Sequence, residues 1–367
     1  MEAMNMDADT LSLLRESLQR YARERYDFEQ RRAHLVSPAG WSRVAWADYA
    51  AMGWLALPAD ADAGGFAGDP EALGALMHYA GQALAMEPLF ASVVLCGRLF
   101  GLAGVDALAH ASLQSLARGE AVFAFAHSEH DGDGMTGPVG TRFDHGHLTG
   151  DKRVVLHGDF ADRLLVSAQD ATDRLGLYLV DAGGPGVQRT AFRLLDGRGA
   201  AHLRFAAAPA EPIAAGRDAR PLLEQALDDA RLALCAESLG AAKALNALTL
   251  AHLKERRQFG RTLGSNQALQ HRMVELYMLE EEGRAVIRAA YRAEPGWRSA
   301  AIHAALAHVM TLARQASHEA VQLHGGMGIT EELAVSHYFR RLMVVNRLLG
   351  DRAEQLERFV ALAALQG

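Results

Sequence analysis

Apolar residues recur at helical spacing at both ends of the chain and in short, interrupted runs between. Leu11, Leu14, Leu18 and Tyr21 fall three or four residues apart with charge between them, which predicts an amphipathic helix near the start. Asp69 followed by Pro70 and Glu71 predicts a helix start, with the acid as cap and proline in the first turn. Gly64, Gly65 and Gly68 mark the loop before it, and Pro88 opens a further apolar helix. From about Glu120 the texture changes. The runs 121–126, 153–156, 164–168, 175–180 and 203–206 are apolar and bounded by Gly, Asp and Pro, which predicts strands joined by turns such as 181–185. After Pro221 the helical period returns. Leu232, Cys235, Leu239, Ala242 and Leu245 share one face, as do Ala305, Val309, Leu312, Ala316, Ala320 and Leu323 further on. The predicted fold class is α+β: an N-terminal helical domain (1–117), a small β-barrel or sandwich domain (118–216) and a C-terminal four-helix bundle (217–367).

Composition narrows the function classes. The 367 residues are 50% hydrophobic, enough for two or three packed subregions. A net charge of −7 with dispersed basic residues argues against nucleic acid as a partner. Two cysteines, Cys96 and Cys235, cannot build a disulfide framework, and the acidic N-terminus lacks the apolar core of a secretory signal. The run from Pro88 to Val105 is interrupted by Arg98 and is too short and broken to span a bilayer. A cytoplasmic protein is expected.

Two segments carry candidate chemistry. In the first, Arg256, Gln258, Phe259 and Gly260 close one helix, and Ser265 is placed to cap the next. A guanidinium suits a diphosphate, being planar, permanently charged and forked. The same residues also fit a helix–turn–helix connection with a solvated basic end. In the second, Gln322 is followed by Gly325 and Gly326, whose bare backbone can approach an anion or a ribose, or simply end a helix. His127, Glu129, His130, Asp131 and Asp133 look like metal ligands, but the spacing lacks the further ligands of a Ca²⁺ or zinc site. A polar loop is expected there, with no metal.

Together the two segments resemble the flavin-dependent acyl-CoA dehydrogenases, which carry an Arg-x-x-Phe-Gly turn and a Gln-x-x-Gly-Gly signature. The helix–strand–helix order extends the resemblance over nearly the whole chain. Thr262 and Asn266 depart from the usual Pro and Phe. The resemblance implies that Arg256, Gln258, Phe259, Gln322, Gly325 and Gly326 contact the FAD of a neighbouring subunit. Ser128 stands in for the Thr of the family's flavin-lining loop. The catalytic glutamate position falls on Leu349, and the alternative base position of some members on Ala230, before Arg231. Neither side chain accepts a proton; Asp351, two residues on, is the remaining acidic candidate, while Asp229 points to another face of its helix. Val154 and Leu156 replace the aromatic residue and the Thr beside the flavin ring.

This pattern is similar to the non-catalytic subunits of heteromeric members, among them the small subunit of pimeloyl-CoA dehydrogenase and those acting on steroid side chains. It implies a heterotetramer with fewer flavins than subunits. A partner dehydrogenase chain would supply the base for α,β-dehydrogenation of an acyl-CoA, and an electron-transferring flavoprotein would take the electrons. The resemblance leaves open a self-sufficient homo-oligomeric flavoenzyme with a relocated base, and a flavin-free scaffold or acyl-CoA-binding subunit.

Overall fold

The computed structural model describes residues 6–60, 65–130, 132, 134–258 and 260–366. The chain forms two compact units. One comprises residues up to 17, 32–76 and 86–230; the other comprises 18–31, 77–85 and 231 onward. The early helices are Ala8–Glu24 (α1), Phe28–Val36 (α2), Arg43–Ala51 (α3) and Pro70–Ala83 (α4). Leu11, Leu18 and Tyr21 of α1 are buried, as their spacing predicted. α4 starts where the sequence placed a helix, with Asp69 Oδ1 accepting the Ala72 N–H at 2.9 Å. Pro88 leads into a wide π-helical segment, Leu89–Gly97, buried throughout, which continues into Arg98–Leu102 (α5). Arg98 points from this apolar stretch to Asp229 at 2.9 Å, so its charge is matched. Ala107–Ala117 (α6) follows, capped by Asp106.

The strands of the β region join in one hydrogen-bonded sheet. Its strands are Phe123–Ala126 (β1), Arg142–Asp144 (β2), His147–Leu156 (β3), Arg163–Gln169 (β4), Leu175–Asp181 (β5), Val187–Arg193 (β6), Gly199–Pro209 (β7) and Glu211–Ile213 (β8). They run in the order β6-β7-β3-β2-β4-β5-β8, with β1 parallel to β4. Leu148, Val155, Leu164, Val166, Leu203 and Phe205 form its core. The β3–β7 register shifts between Lys152 and Val155, and Val154 takes a left-handed φ of 48°. A β-branched residue there is strained, by about 1–3 kcal/mol.

The C-terminal helices are Arg220–Glu255 (α7), Gln267–Tyr291 (α8), Arg298–His324 (α9), Ala334–Val345 (α10) and Arg352–Ala364 (α11). α9 packs against α8, α10 and α11. Ala241, Leu245, Ala313, Ala320, Val335 and Leu342 meet in a common core. α8 is capped by Asn266, whose side chain accepts the Ala268 N–H, not by Ser265. Ser265 instead donates its hydroxyl to the Thr262 carbonyl at 2.7 Å. Among the described residues no helix is long and apolar enough to cross a membrane.

Candidate cofactor-binding site

The last turn of α7 closes with the Arg256 N–H donating to the His252 carbonyl at 2.8 Å. The chain then forms a tight hairpin, Arg257–Gln258 (β9) against Arg261–Thr262 (β10), with Gln258 opposite Arg261. Gly260 makes the turn at φ +79°, with open space where a Cβ would stand. The Leu263 N–H donates to the Arg256 carbonyl at 2.8 Å and ties the hairpin back to the helix end. Arg256, Arg257, Gln258 and Arg261 are all exposed. Among the described residues no ion pair engages any of these three guanidiniums. Phe259, also expected here, lies outside the described residues.

The second motif lies at the end of α9. Gly325 caps the helix at φ +63° and ψ −146°, its N–H donating to the Val321 and Gln322 carbonyls. A Cβ on Gly325 or Gly326 would meet nothing within 4 Å, so this backbone is open to a ligand. Gln322 is exposed beside it. Gly328 differs: a Cβ there would press on the Val321 carbonyl at 3.0 Å, so its role is close packing.

A histidine stack brings the two motifs together. The rings of His252 and His324 lie 4.3 Å apart with planes 28° from parallel. His252 sits one helical turn before Arg256, and His324 directly precedes Gly325. His324 Nδ1 is 2.8 Å from the Ala320 carbonyl, which only accepts, so that nitrogen carries the proton. Burial, then the neighbouring His324 and Arg256, hold His252 below the usual histidine range, which favours the neutral ring. Nothing in the sequence marks this stack beyond the i and i+4 spacing that puts His252 and Arg256 on one helix face.

The positions where a base was sought hold none that is free. Leu349 is 1% exposed, and its carbonyl accepts the Gln355 Nε2–H at 2.7 Å. That fixes the amide, so Gln355 Oε1 accepts from His303 Nδ1, 2.7 Å away. Burial first, and the Arg231 charge next, push His303 down to about 4. Asp351 is the N-cap of α11: its Oδ1 accepts from Ala353 at 2.8 Å and Glu354 at 3.1 Å, while Arg347 reaches its Oδ2 at 3.3 Å. Ala230 is fully buried.

Ser128 lies in the other unit, partly buried, with its carbonyl accepting the Arg153 N–H at 2.7 Å. Glu129 next to it is engaged. It accepts from the buried Lys152 ammonium at 2.8 Å, the Thr141 hydroxyl at 2.7 Å and the Gly140 N–H at 2.7 Å. Burial pushes its carboxyl up, but these donors outweigh it and hold the group at about 2. His127 Nδ1 contacts the Ser167 hydroxyl at 2.8 Å. Asp131 and Asp133 lie outside the described residues. Val154 directs its N–H toward His202 Nδ1 at 3.3 Å, and Leu156 is buried.

Residues 221–361 match the family model "Acyl-CoA dehydrogenase, C-terminal domain". "Acyl-CoA dehydrogenase IpdE2" of Mycolicibacterium smegmatis is 43% identical over 134 residues, which are 36% of this chain and 42% of that one. The aligned region is thus less than half of that relative. In solved structures, a variant of the "Tcur3481-Tcur3483 steroid ACAD" superposes with a TM-score of 0.87 at 28% identity, covering 98% of each chain. The ChsE4-ChsE5 complex from Mycobacterium tuberculosis shares the fold, with a TM-score of 0.85 at 24% identity over 99% of each chain. The convergence of the Arg256 hairpin and the Gly325–Gly326 cap lies within the matched region: residues 221–361 carry the C-terminal domain of the acyl-CoA dehydrogenases, and the chain as a whole is similar in fold to the Tcur3481-Tcur3483 protein.

Proposed function

We propose that this chain is the base-lacking subunit of a heteromeric, flavin-dependent acyl-CoA dehydrogenase. On this reading it helps to hold a cofactor whose chemistry is completed by a partner chain. The residues fit FAD at its diphosphate end. Arg256, Arg257 and Arg261 form no ion pair among the described residues, and a Cβ on Gly325 or Gly326 would meet nothing within 4 Å. Arg256 would pair with the diphosphate, and the Gly325–Gly326 backbone and Gln322 would give the close, polar approach. Gln258 and Phe259 complete the proposed contacts. FAD, when bound, accepts the hydride leaving the β carbon of the acyl thioester.

The observation that carries the reading is the state of the base positions. Leu349 offers a buried hydrocarbon, Ala230 a buried methyl, and Asp351 a carboxylate committed to a helix cap. Abstraction of the α proton then falls to a carboxylate of the partner subunit. The two-chain names of the Tcur3481-Tcur3483 and ChsE4-ChsE5 proteins support a heteromeric arrangement. The substrate is accordingly a fatty or steroid-derived acyl-CoA, the assembly a cytoplasmic heterotetramer, and the electron acceptor an electron-transferring flavoprotein. Co-expression with a base-bearing dehydrogenase chain tests the proposal. The complex should carry flavin and oxidise acyl-CoA, and Arg256→Ala in this chain should strip flavin from it. A lone chain that turns over acyl-CoA would overturn the assignment.

A further inference from the structure

The loop that presents Gly325 and Gly326 is anchored at its far end by a histidine whose tautomer is dictated from another helix. Arg31 of α2 is fully buried, and its Nη1 lies 2.7 Å from His337 Nδ1 in α10. A guanidinium has only donors. His337 Nδ1 must therefore accept, and the ring proton must sit on Nε2. That nitrogen faces the Glu331 carbonyl at 3.1 Å and the Glu331 carboxylate at 3.4 Å. Two further bonds fasten the same stretch: the Ser336 hydroxyl donates to the Thr330 carbonyl at 2.7 Å, and Arg340 pairs with Glu331 at 2.8 Å. The Phe28 ring packs edge-on against the imidazole, centroids 5.0 Å apart.

We propose that His337 is a positioning residue for the Gly325–Glu331 loop, and that its protonation releases the loop. The structural part stands alone; its bearing on cofactor affinity rests on the function proposed above. A proton on Nδ1 would set an N–H against an N–H and a cation against a cation. Arg31 has little room to yield, since its Nε donates to the buried Leu84 carbonyl at 3.2 Å. The imidazolium has to turn away, and the bond to the Glu331 carbonyl goes with it. Around the ring stand two guanidiniums, Arg31 from α2 and Arg340 from α10, against one carboxylate, Glu331 from the loop. Burial, ahead of those charges, keeps His337 below the ordinary histidine range. The neutral clamp is therefore complete above about pH 6.5 and is lost as pH falls through the lower folded value.

Hydrogen exchange of the full chain, corrected for the intrinsic pH dependence, reads this without cofactor or partner. As pH falls from about 8 through the lowered folded value of His337, the amides of residues 325–331 should lose about fivefold to tenfold in protection, the worth of one hydrogen bond. His337→Gln keeps a donor for the Glu331 carbonyl and cannot titrate. Its loop should stay protected across the range, while His337→Ala leaves the loop exposed at every pH. Protection in the wild type that does not change with pH, or a His337→Ala loop as protected as the wild type, overturns the clamp. Either result leaves the proposed role of Arg256 standing, and a flavin-free complex would overturn that role without touching the clamp.

Discussion

Replacing Arg341 in α10 should be among the most damaging single changes in the C-terminal unit. Its side chain is 1% exposed and that of Glu237 in α7 is 0% exposed, with Nη1 and Oε1 2.9 Å apart. Arg341 Nη2 also donates to the Ala85 carbonyl at 2.8 Å. Arg341→Met removes the guanidinium from both acceptors and keeps the volume. A buried carboxylate that loses its cation costs about 3–5 kcal/mol, whereas an apolar pair of similar volume is nearly neutral. Arg341→Met alone should therefore lower stability by about 3–5 kcal/mol, while Arg341→Met with Glu237→Leu recovers most of that loss. Urea unfolding of the four proteins of the cycle, followed by circular dichroism, gives the coupling. If the two single losses simply add in the double variant, the pair does not act as a unit and the reasoning fails.

The remaining predictions can be checked on the same material. His303, neutral in the fold and pushed down to about 4 from 6.5, adds about 3 kcal/mol above pH 6.5 that disappears as pH falls toward 4; NMR titration of labelled histidines should find one titrating near that lower value, and one at 6.5 or above contradicts it. Glu129, held at about 2, contributes stability above its usual 4.5 that fades as pH falls toward 2; Lys152→Met should shrink this part of the acid response in stability curves, leaving the share that the Thr141 donors supply. Arg256→Ala, at an exposed residue, should change the melting temperature little while weakening flavin retention in the complex by about tenfold to a hundredfold. Leu349→Glu in the lone chain should give no acyl-CoA oxidation, because a base alone does not supply the rest of the site.

The parts of the fold legible in the sequence are those governed by local chemistry. α1 and α9 follow their apolar stripes, and α4 begins at its Asp69-Pro70 signal. β6 was missed because Val187–Arg193 is almost entirely exposed and so has no apolar alternation. β8 and β2, three residues each, were missed because they are too short to show a period. The cap of α8 moved from Ser265 to Asn266 because adjacent capping residues compete, and only coordinates decide which one faces the helix. At the site, the Arg256 and Gly325–Gly326 segments were readable one by one. What joins them, the His252–His324 stack, is a tertiary contact between residues ordinary in their own helices. The acceptors that occupy Lys152 and the donors that occupy Asp351 were equally invisible, since a carboxylate's partners are set by packing and not by spacing.

On the proposed function, the carboxylate for α-proton abstraction comes from another chain. Single-turnover oxidation of an acyl-CoA, read as bleaching of bound flavin, tests it most directly: first with this chain alone, then with its complex, then with a complex whose partner carries Glu→Gln at its base. Bleaching is expected only in the intact complex. Bleaching by the lone chain, or undiminished bleaching after the partner's base is removed, would contradict it.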